Sequence, residues 1–265
     1  MTPVSITRGD RPIILGLPHT GTHVPAEIAD RLNARGRTLA DTDWHIDQLY
    51  EGLAPGATTV TANFHRYVID ANRDPAGASL YPGQNTTTLV PLTDFDGQDI
   101  WDIPPTAAEV EARRAAFHAP YHAALMQELV RVRDLHGVAI LYDCHSIRAH
   151  IPFLFDGTLP DLNIGTNAGT TCAPQIEATA VALCKSAPYS LAINEHFKGG
   201  WTTRHYGLPA DGLHAIQMEL AQSTYLTTEA EPWAYDAAKA ATVRPILARI
   251  LSALAALAPT LGGAS

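Results

Sequence analysis

The sequence predicts a single α/β domain with a central mixed, mostly parallel sheet flanked by helices. Three observations predict it. Short apolar runs at 12–17 and 138–141, bounded by Pro or Gly, read as strands buried on both faces. Stretches with helical spacing, above all 105–136 and 231–257, alternate with such runs. Ionisable residues crowd in where the strands end, the edge at which open α/β sheets take ligands. No internal repeat or linker interrupts the 265 residues, so one domain over 1–265 is expected.

The first strand, 12–17, leads into Pro18-His19-Thr20-Gly21-Thr22-His23-Val24-Pro25, and Pro25 suits the first turn of a helix. His19 therefore sits at a strand end. Asp41, Thr42 or Asp43 can cap a helix in which Ile46, Leu49 and Tyr50 form the apolar stripe. That helix places Asp43 and Asp47 on one face. Acidic residues in a first turn favour the helix dipole, which is the plainer reading of Asp41 and Asp43; the functional one makes Asp43 a carboxylate metal ligand.

Residues 57–62 and 65–69 read as two strands. The second ends in Asp70-Ala71-Asn72-Arg73, where Arg73 beside Asn72 suits a carboxylate, because the guanidinium fork is planar and bidentate. From 75 to 105 the chain is rich in Pro, Gly, Thr and Asp. It is too long for an ordinary connection and reads as an ordered functional loop or lid, anchored by Tyr81, Phe95 and Trp101. Residues 105–136 are helical, kinked or divided at Pro120 and closed by Gly137. His118 and His122 stand at i, i+4, but the Glu of a His-Glu-x-x-His zinc motif is missing.

The strand at 138–143 runs into Asp143-Cys144-His145-Ser146, and His145 is read as a metal ligand at the floor of a site. Short strands are expected at 151–155, 162–165 and 189–194, with a helix at 174–185. Residues 195–207 read as a loop dense in functional groups, in which Arg204 could meet a second anionic group. Residues 214–220 read as a strand carrying Glu219. Strands disfavour Glu and burial raises its pKa, which makes Glu219 a general-base candidate. The helical region 231–257 is interrupted by Pro245, and the tail 262–265 is expected to fray.

Net charge is −9 with no basic block, which argues against a nucleic-acid partner. No run of about 18 apolar residues and no signal-like N-terminus are seen, so a cytoplasmic protein without a membrane span is expected. Three cysteines without metal-like spacing argue against disulfides, and Cys144 reads as a buried small side chain.

Taken in order, Pro18-His19-Thr20-Gly21, Asp43 and Asp47, Asp70-Ala71-Asn72-Arg73, Asp143-Cys144-His145-Ser146 and Gln217-Met218-Glu219 resemble the N-formylglutamate amidohydrolase family. The resemblance spans about residues 10–226. It implies a fold like that of the zinc carboxypeptidases and aspartoacylase (phosphorylase/hydrolase-like). It also implies one divalent metal, Zn²⁺, held by His19, His145 and an acid. Asn72 and Arg73 then receive the substrate carboxylate, and Glu219 is the base. One departure stands out: the related enzymes carry Glu three residues after the first His, where this chain has Thr22. Asp43 is taken as the second ligand, with Asp47, His45 and His23 as alternatives. The implied reaction is metal-dependent hydrolysis of N-formyl-L-glutamate to formate and L-glutamate, the end of histidine degradation. Two other readings are a related amidohydrolase or carboxypeptidase acting on another N-acyl amino acid, and a non-catalytic anion-binding protein of this fold.

Overall fold

The computed structural model describes residues 2–78 and 85–261. The expectations for Tyr81 and for the 262–265 tail lie outside the described residues. Among these, seven strands form one sheet in the order β1-β3-β2-β4-β7-β5-β6. They are β1 Val4–Thr7, β2 Ile13–Leu17, β3 Thr58–Ala62, β4 Ala139–Ile147, β5 Leu162–Gly165, β6 Leu191–Ile193 and β7 Leu213–Ala221. The central strands β3, β2, β4 and β7 are mutually parallel, as are β5 and β6. Only β1 on β3 and β5 on β7 run antiparallel. The domain is thus single, α/β and mostly parallel, as expected.

Strand alternation divides the core in two. Leu15, Tyr142, Cys144, Ile216 and Met218 face one cluster. That cluster is closed by helices α2 Ile46–Tyr50, α5 Pro174–Lys185 and α7 Ala237–Leu257. Ile14, Leu141 and Ala215 face the other, closed by Tyr121, Leu125, Leu129 and Val132 of α4 Ala119–His136. Both faces are covered, so β4 and β7 are buried at all nine positions each, and β4 opens on an uninterrupted apolar run, Ala139 to Tyr142.

Several expectations are corrected. Residues 65–69 are a buried turn, not a strand: Val68 N–H bonds to His65 O at 2.9 Å. The run is apolar because Tyr67, Val68 and Ile69 are fully buried in the second cluster. Residues 151–155 likewise form a turn, packed with Phe95, Ile147 and Leu159 in a third small cluster. The short exposed edge strand β1 carries no sequence signal. Helix α2 starts at Ile46, after His45 in the left-handed region (φ 59°), so Asp43 precedes the helix and does not share a face with Asp47. Within 195–207, residues Trp201–Tyr206 form helix α6.

Thr106 and Glu109 form a capping box that opens α3 Ala107–Arg113. A π turn over Arg114–His118 then leads into α4, with Pro120 in its first turn. A proline lacks the N–H and displaces the carbonyl of the preceding turn, and the wider turn takes up that clash. Gly137 closes α4 with φ 75°, the left-handed cap expected of it.

Helix α7 begins at Ala237 rather than 231, because Asp236 Oδ1 accepts from the Ala238 and Lys239 N–H groups. It runs unbroken through Pro245, which is exposed. It is long and apolar enough by composition to cross a membrane. Val243, Leu247, Ile250 and Leu254 nonetheless pack its stripe into the core.

Pro245→Ala restores one helix hydrogen bond on the solvent face. It should raise stability by up to about 3 kcal/mol, the interior penalty of proline relative to alanine. Urea unfolding measures this, and an unchanged or lowered midpoint would show that the helix carries no such penalty.

Candidate active site

The carboxyl ends of the parallel strands bring the predicted site residues together. His19 lies two residues past β2 and is 3% exposed. On β4 and β7 the register sets Asp143 opposite Gln217 and His145 opposite Glu219, on one face of neighbouring strands. Adjacent strands lie about 4.8 Å apart, so these paired side chains stand next to each other. Cys144, one residue out of phase, points into the opposite core.

Asp43 arrives from the loop before α2. Its N–H bonds to His19 O at 3.1 Å. Its Oδ1 pairs with Arg66 Nη2 at 2.6 Å, and its Oδ2 accepts from the Ser146 N–H at 3.1 Å. The same Oδ2 lies 3.2 Å from His145 Nδ1 and 3.8 Å from His19 Nδ1. Of the alternatives to Asp43, Asp47 and His23 are exposed and His45 bonds to Trp233 O at 2.9 Å. Thr22 is exposed too, so Asp43 stands where that position cannot reach.

These atoms fit a divalent cation. His19 Nε2–H donates to Asp70 Oδ1 at 2.7 Å, which fixes the tautomer and leaves Nδ1 as a lone pair. That Nδ1 is buried with no hydrogen-bond partner among the described residues. A buried polar atom left unpaired is costly and asks for a ligand. The 3.8 Å and 3.2 Å separations of Asp43 Oδ2 from His19 Nδ1 and His145 Nδ1 lie close to those of a tetrahedral site, in which donors at roughly 2.0–2.2 Å from an ion lie about 3.3–3.6 Å apart. His19, Asp43 and His145 together form a buried donor set within 4.8 Å.

The electrostatics lean the same way. Asp43, Asp70, Asp143 and Glu219 are all buried, and the Arg66 guanidinium is buried beside them. Burial, then Arg66, holds His19 below the usual imidazole range, so it is a neutral donor. Burial would lower His145 too, but Asp143 and Asp43 outweigh it and hold His145 well above that range. Burial would raise Asp43, but Arg66, with help from His145 and His19, lowers it. Burial pushes Glu219 up to about 8, against the pull of His145 and with the push of Asp43. The cluster holds more negative charge than it neutralises, and what it attracts is a proton or a metal cation.

A cavity of about 380 Å³ opens over this floor. Arg66, Arg73 and Lys198 bring positive charge to its wall, and Phe95, Phe155 and Phe197 an apolar flank. Arg73 is braced by Thr87, with Nε to its carbonyl at 3.1 Å and Nη2 to its hydroxyl at 2.9 Å. Thus the 75–105 stretch, where described, is an ordered wall of the site. Asn72 Nδ2 sits 3.1 Å from His145 Nε2, while its Oδ1 accepts the Thr202 N–H at 2.8 Å. A Cβ on Gly200 would lie 2.2 Å from Asn72 Nδ2, so only glycine lets α6 approach this closely. Gln217 Oε1 takes the Gly200 N–H at 2.6 Å, which turns its Nε2 onto Glu219 Oε2 at 3.0 Å.

Arg204 lies on α6 with Nε on Gly199 O at 2.8 Å, and the residues of its segment that line the cavity are Glu195, His196, Phe197, Lys198 and Gly200. Arg66 was missed. The signal for it was an arginine inside a run that otherwise reads as buried, since a buried charge must be paired. Asp143 lies 3.2 Å from His145 Nε2 and accepts from Thr203 Oγ1 at 3.0 Å, a place from which it orients the imidazole.

A mostly parallel α/β domain with His, Asp, Glu and Arg gathered in a cleft at its carboxyl edge is built as a hydrolase. The sequence model of the family described as N-formylglutamate amidohydrolase matches residues 11–226, and the chain belongs to that family. It is 43% identical over 257 residues to the N-formylglutamate deformylase of Pseudomonas aeruginosa, covering 96% of each chain. It is 42% identical to that of Pseudomonas putida over the same share. The crystal structure of N-formylglutamate amidohydrolase from Ralstonia eutropha superposes with a TM-score of 0.82 at 26% identity, over 98% of this chain and 99% of that one. A gene product of Agrobacterium tumefaciens at 19% identity shares the fold, with a TM-score of 0.71 over 96% and 95%.

Because burial raises Glu219, the fold prefers its protonated form. That contribution is complete below the ordinary carboxyl range and is lost as pH rises through about 8. Glu219→Gln, always neutral, should therefore raise the unfolding temperature of chelator-treated protein at about pH 9, relative to the unsubstituted chain. The difference should close by about pH 4. The same difference at both pH values would show that burial of the carboxylate is not its cause.

Proposed function

We propose that the chain hydrolyses N-formyl-L-glutamate to formate and L-glutamate with one bound divalent metal, Zn²⁺ by the chemistry of the donor set. We place that step at the end of histidine degradation, as the family resemblance implies. The observation that carries the reading is the unpaired His19 Nδ1 facing Asp43 and His145, with Glu219 buried beside them. Two histidines and one carboxylate are the donor set of catalytic zinc sites. Such an ion, when bound, polarises the formyl oxygen and acidifies water.

The chain's own groups supply the rest. Glu219, turned by Gln217, takes a proton from the attacking water. The water oxygen bonds to the formyl carbon, the C–N bond breaks, and Glu219 passes its proton to the departing amine. A cation held by His19, Asp43 and His145 would lower the pKa that burial has raised, so that Glu219 could cycle between both forms. Arg66, held by Asp43, adds positive charge where the formyl oxygen gains negative charge. Asn72 and Arg73 receive a substrate carboxylate. A small dianion suits a cavity of this size whose wall carries three cationic side chains in a chain of net charge −9.

Glu219→Gln should lower kcat/KM for N-formyl-L-glutamate by roughly 10²–10⁴-fold, followed by formate release. A loss under about tenfold overturns its role as base.

Elemental analysis should find one divalent ion per chain. Chelation should abolish activity and Zn²⁺ restore it, whereas Asp43→Ala protein should neither hold the ion nor recover. Full activity of metal-free protein would end the reading. A panel of N-formyl and N-acetyl amino acids separates deformylation from action on other acyl groups.

A further inference from the structure

We infer that His118 and His122 are positioning residues that hold the Asn72–Arg73 arm at the angle that receives the substrate carboxylate. The inference rests on the functional reading above.

The arm belongs to no strand or helix: residues 70–73 form a turn at the rim of the site, with the Arg73 N–H on Asp70 O at 3.3 Å. An irregular segment needs its backbone groups satisfied individually. Two histidines one helical turn apart do this. His118 Nε2 lies 3.1 Å from Arg73 O, and His122 Nε2 lies 2.8 Å from Ala71 O. These carbonyls flank Asn72 on either side. A carbonyl only accepts, so both rings donate through Nε2–H. Tyr206 Oη lies 3.0 Å from His122 Nδ1 and donates to the His122 carbonyl at 3.2 Å, which holds the ring's other edge against α6.

The clamp is built into the fold. His118 closes the π turn and His122 follows in the first regular turn of α4, with ring centroids 4.3 Å apart. Trp201 of α6 packs against both rings, and α6 also supplies the Thr202 N–H that fixes the Asn72 carboxamide. From the other side Asp70 Oδ1 accepts the Asn72 N–H at 2.8 Å. The arm is therefore held at two carbonyls, one N–H and one side chain. Burial lowers the pKa of both rings, that of His122 to about 3, so they remain neutral donors over the working range. Neither ring lines the cavity, so they act through the arm and do not touch substrate.

The test compares kcat/KM for N-formyl-L-glutamate with that for N-formyl-4-aminobutanoate, which lacks the carboxylate beside the formamide. The ratio does not depend on how much protein is folded or loaded. Arg73→Met sets the value expected when the arm is lost. His118→Leu, which keeps bulk but cannot donate, should lower the ratio at least tenfold, chiefly through KM for the first substrate. His118→Gln, whose amide nitrogen can stand in for Nε2, should keep the ratio within threefold of the unsubstituted chain. Should His118→Leu fold poorly, His122→Gln against His122→Leu gives the same comparison at the second carbonyl. A His118→Leu ratio within threefold of the unsubstituted value, or an equal loss in the Leu and Gln variants, overturns the inference while leaving deformylation intact. If the unsubstituted chain releases no formate from N-formyl-L-glutamate, the functional reading falls, and this inference with it.

Discussion

The site depends on the placement of one buried carboxylate. Asp43 has no helix or strand to hold it, and burial alone would keep it protonated. It is ionised because Arg66 pairs with one oxygen and the Ser146 N–H binds the other, while two imidazoles stand within 4 Å. Those partners come from three segments other than its own. The loop before α2, the turn after β3, the end of β2 and the end of β4 are thus tied at a single side chain. A buried charge of this kind is tolerated only while its partners stay in place, since losing one leaves the other unpaired. The arrangement that suits a cation is also the one that holds these loops together.

The sheet separates chemistry from packing by parity. Along β4, Tyr142 and Cys144 fill the core beneath α5 and α7, while Asp143 and His145 face the cleft. Along β7, Met218 and Leu220 pack and Gln217 and Glu219 face the cleft. A one-residue slip in either strand would exchange the two sets, putting apolar groups in the site and carboxylates in the core. Nine paired residues, buried on both faces, make such a slip expensive.

The central strands were legible because burial on both faces leaves an uninterrupted apolar run. The same logic misled at 65–69, where a turn is just as buried and therefore just as apolar. Edge strand β1 escaped because three of its four residues are exposed and only four residues pair. His19, His145 and Glu219 could be read from their places at strand ends. Asp43 could be named ahead of Asp47 through the family resemblance and its early position, but not its place before the helix, which begins late, after a left-handed His45. The stretch around Arg204 read as a loop because it is rich in glycine, yet Trp201–Tyr206 form α6. Arg66 and the second contacts of His118 and His122 depend on tertiary approach across 23 to 51 positions of sequence, which no local pattern reports.

The two halves of the cleft rest on supports of different kinds. His145 and Glu219 stand on neighbouring strands at the centre of the sheet, whose amides exchange with solvent only when the domain opens as a whole. The Asn72–Arg73 arm hangs on side-chain donors to a short irregular segment, and such segments open at far lower free energy. The protein can therefore lose its grip on a substrate through a local fluctuation while its hydrolytic floor stays assembled. Selectivity is the first property that heat or mild denaturant would erode, and capacity for chemistry the last.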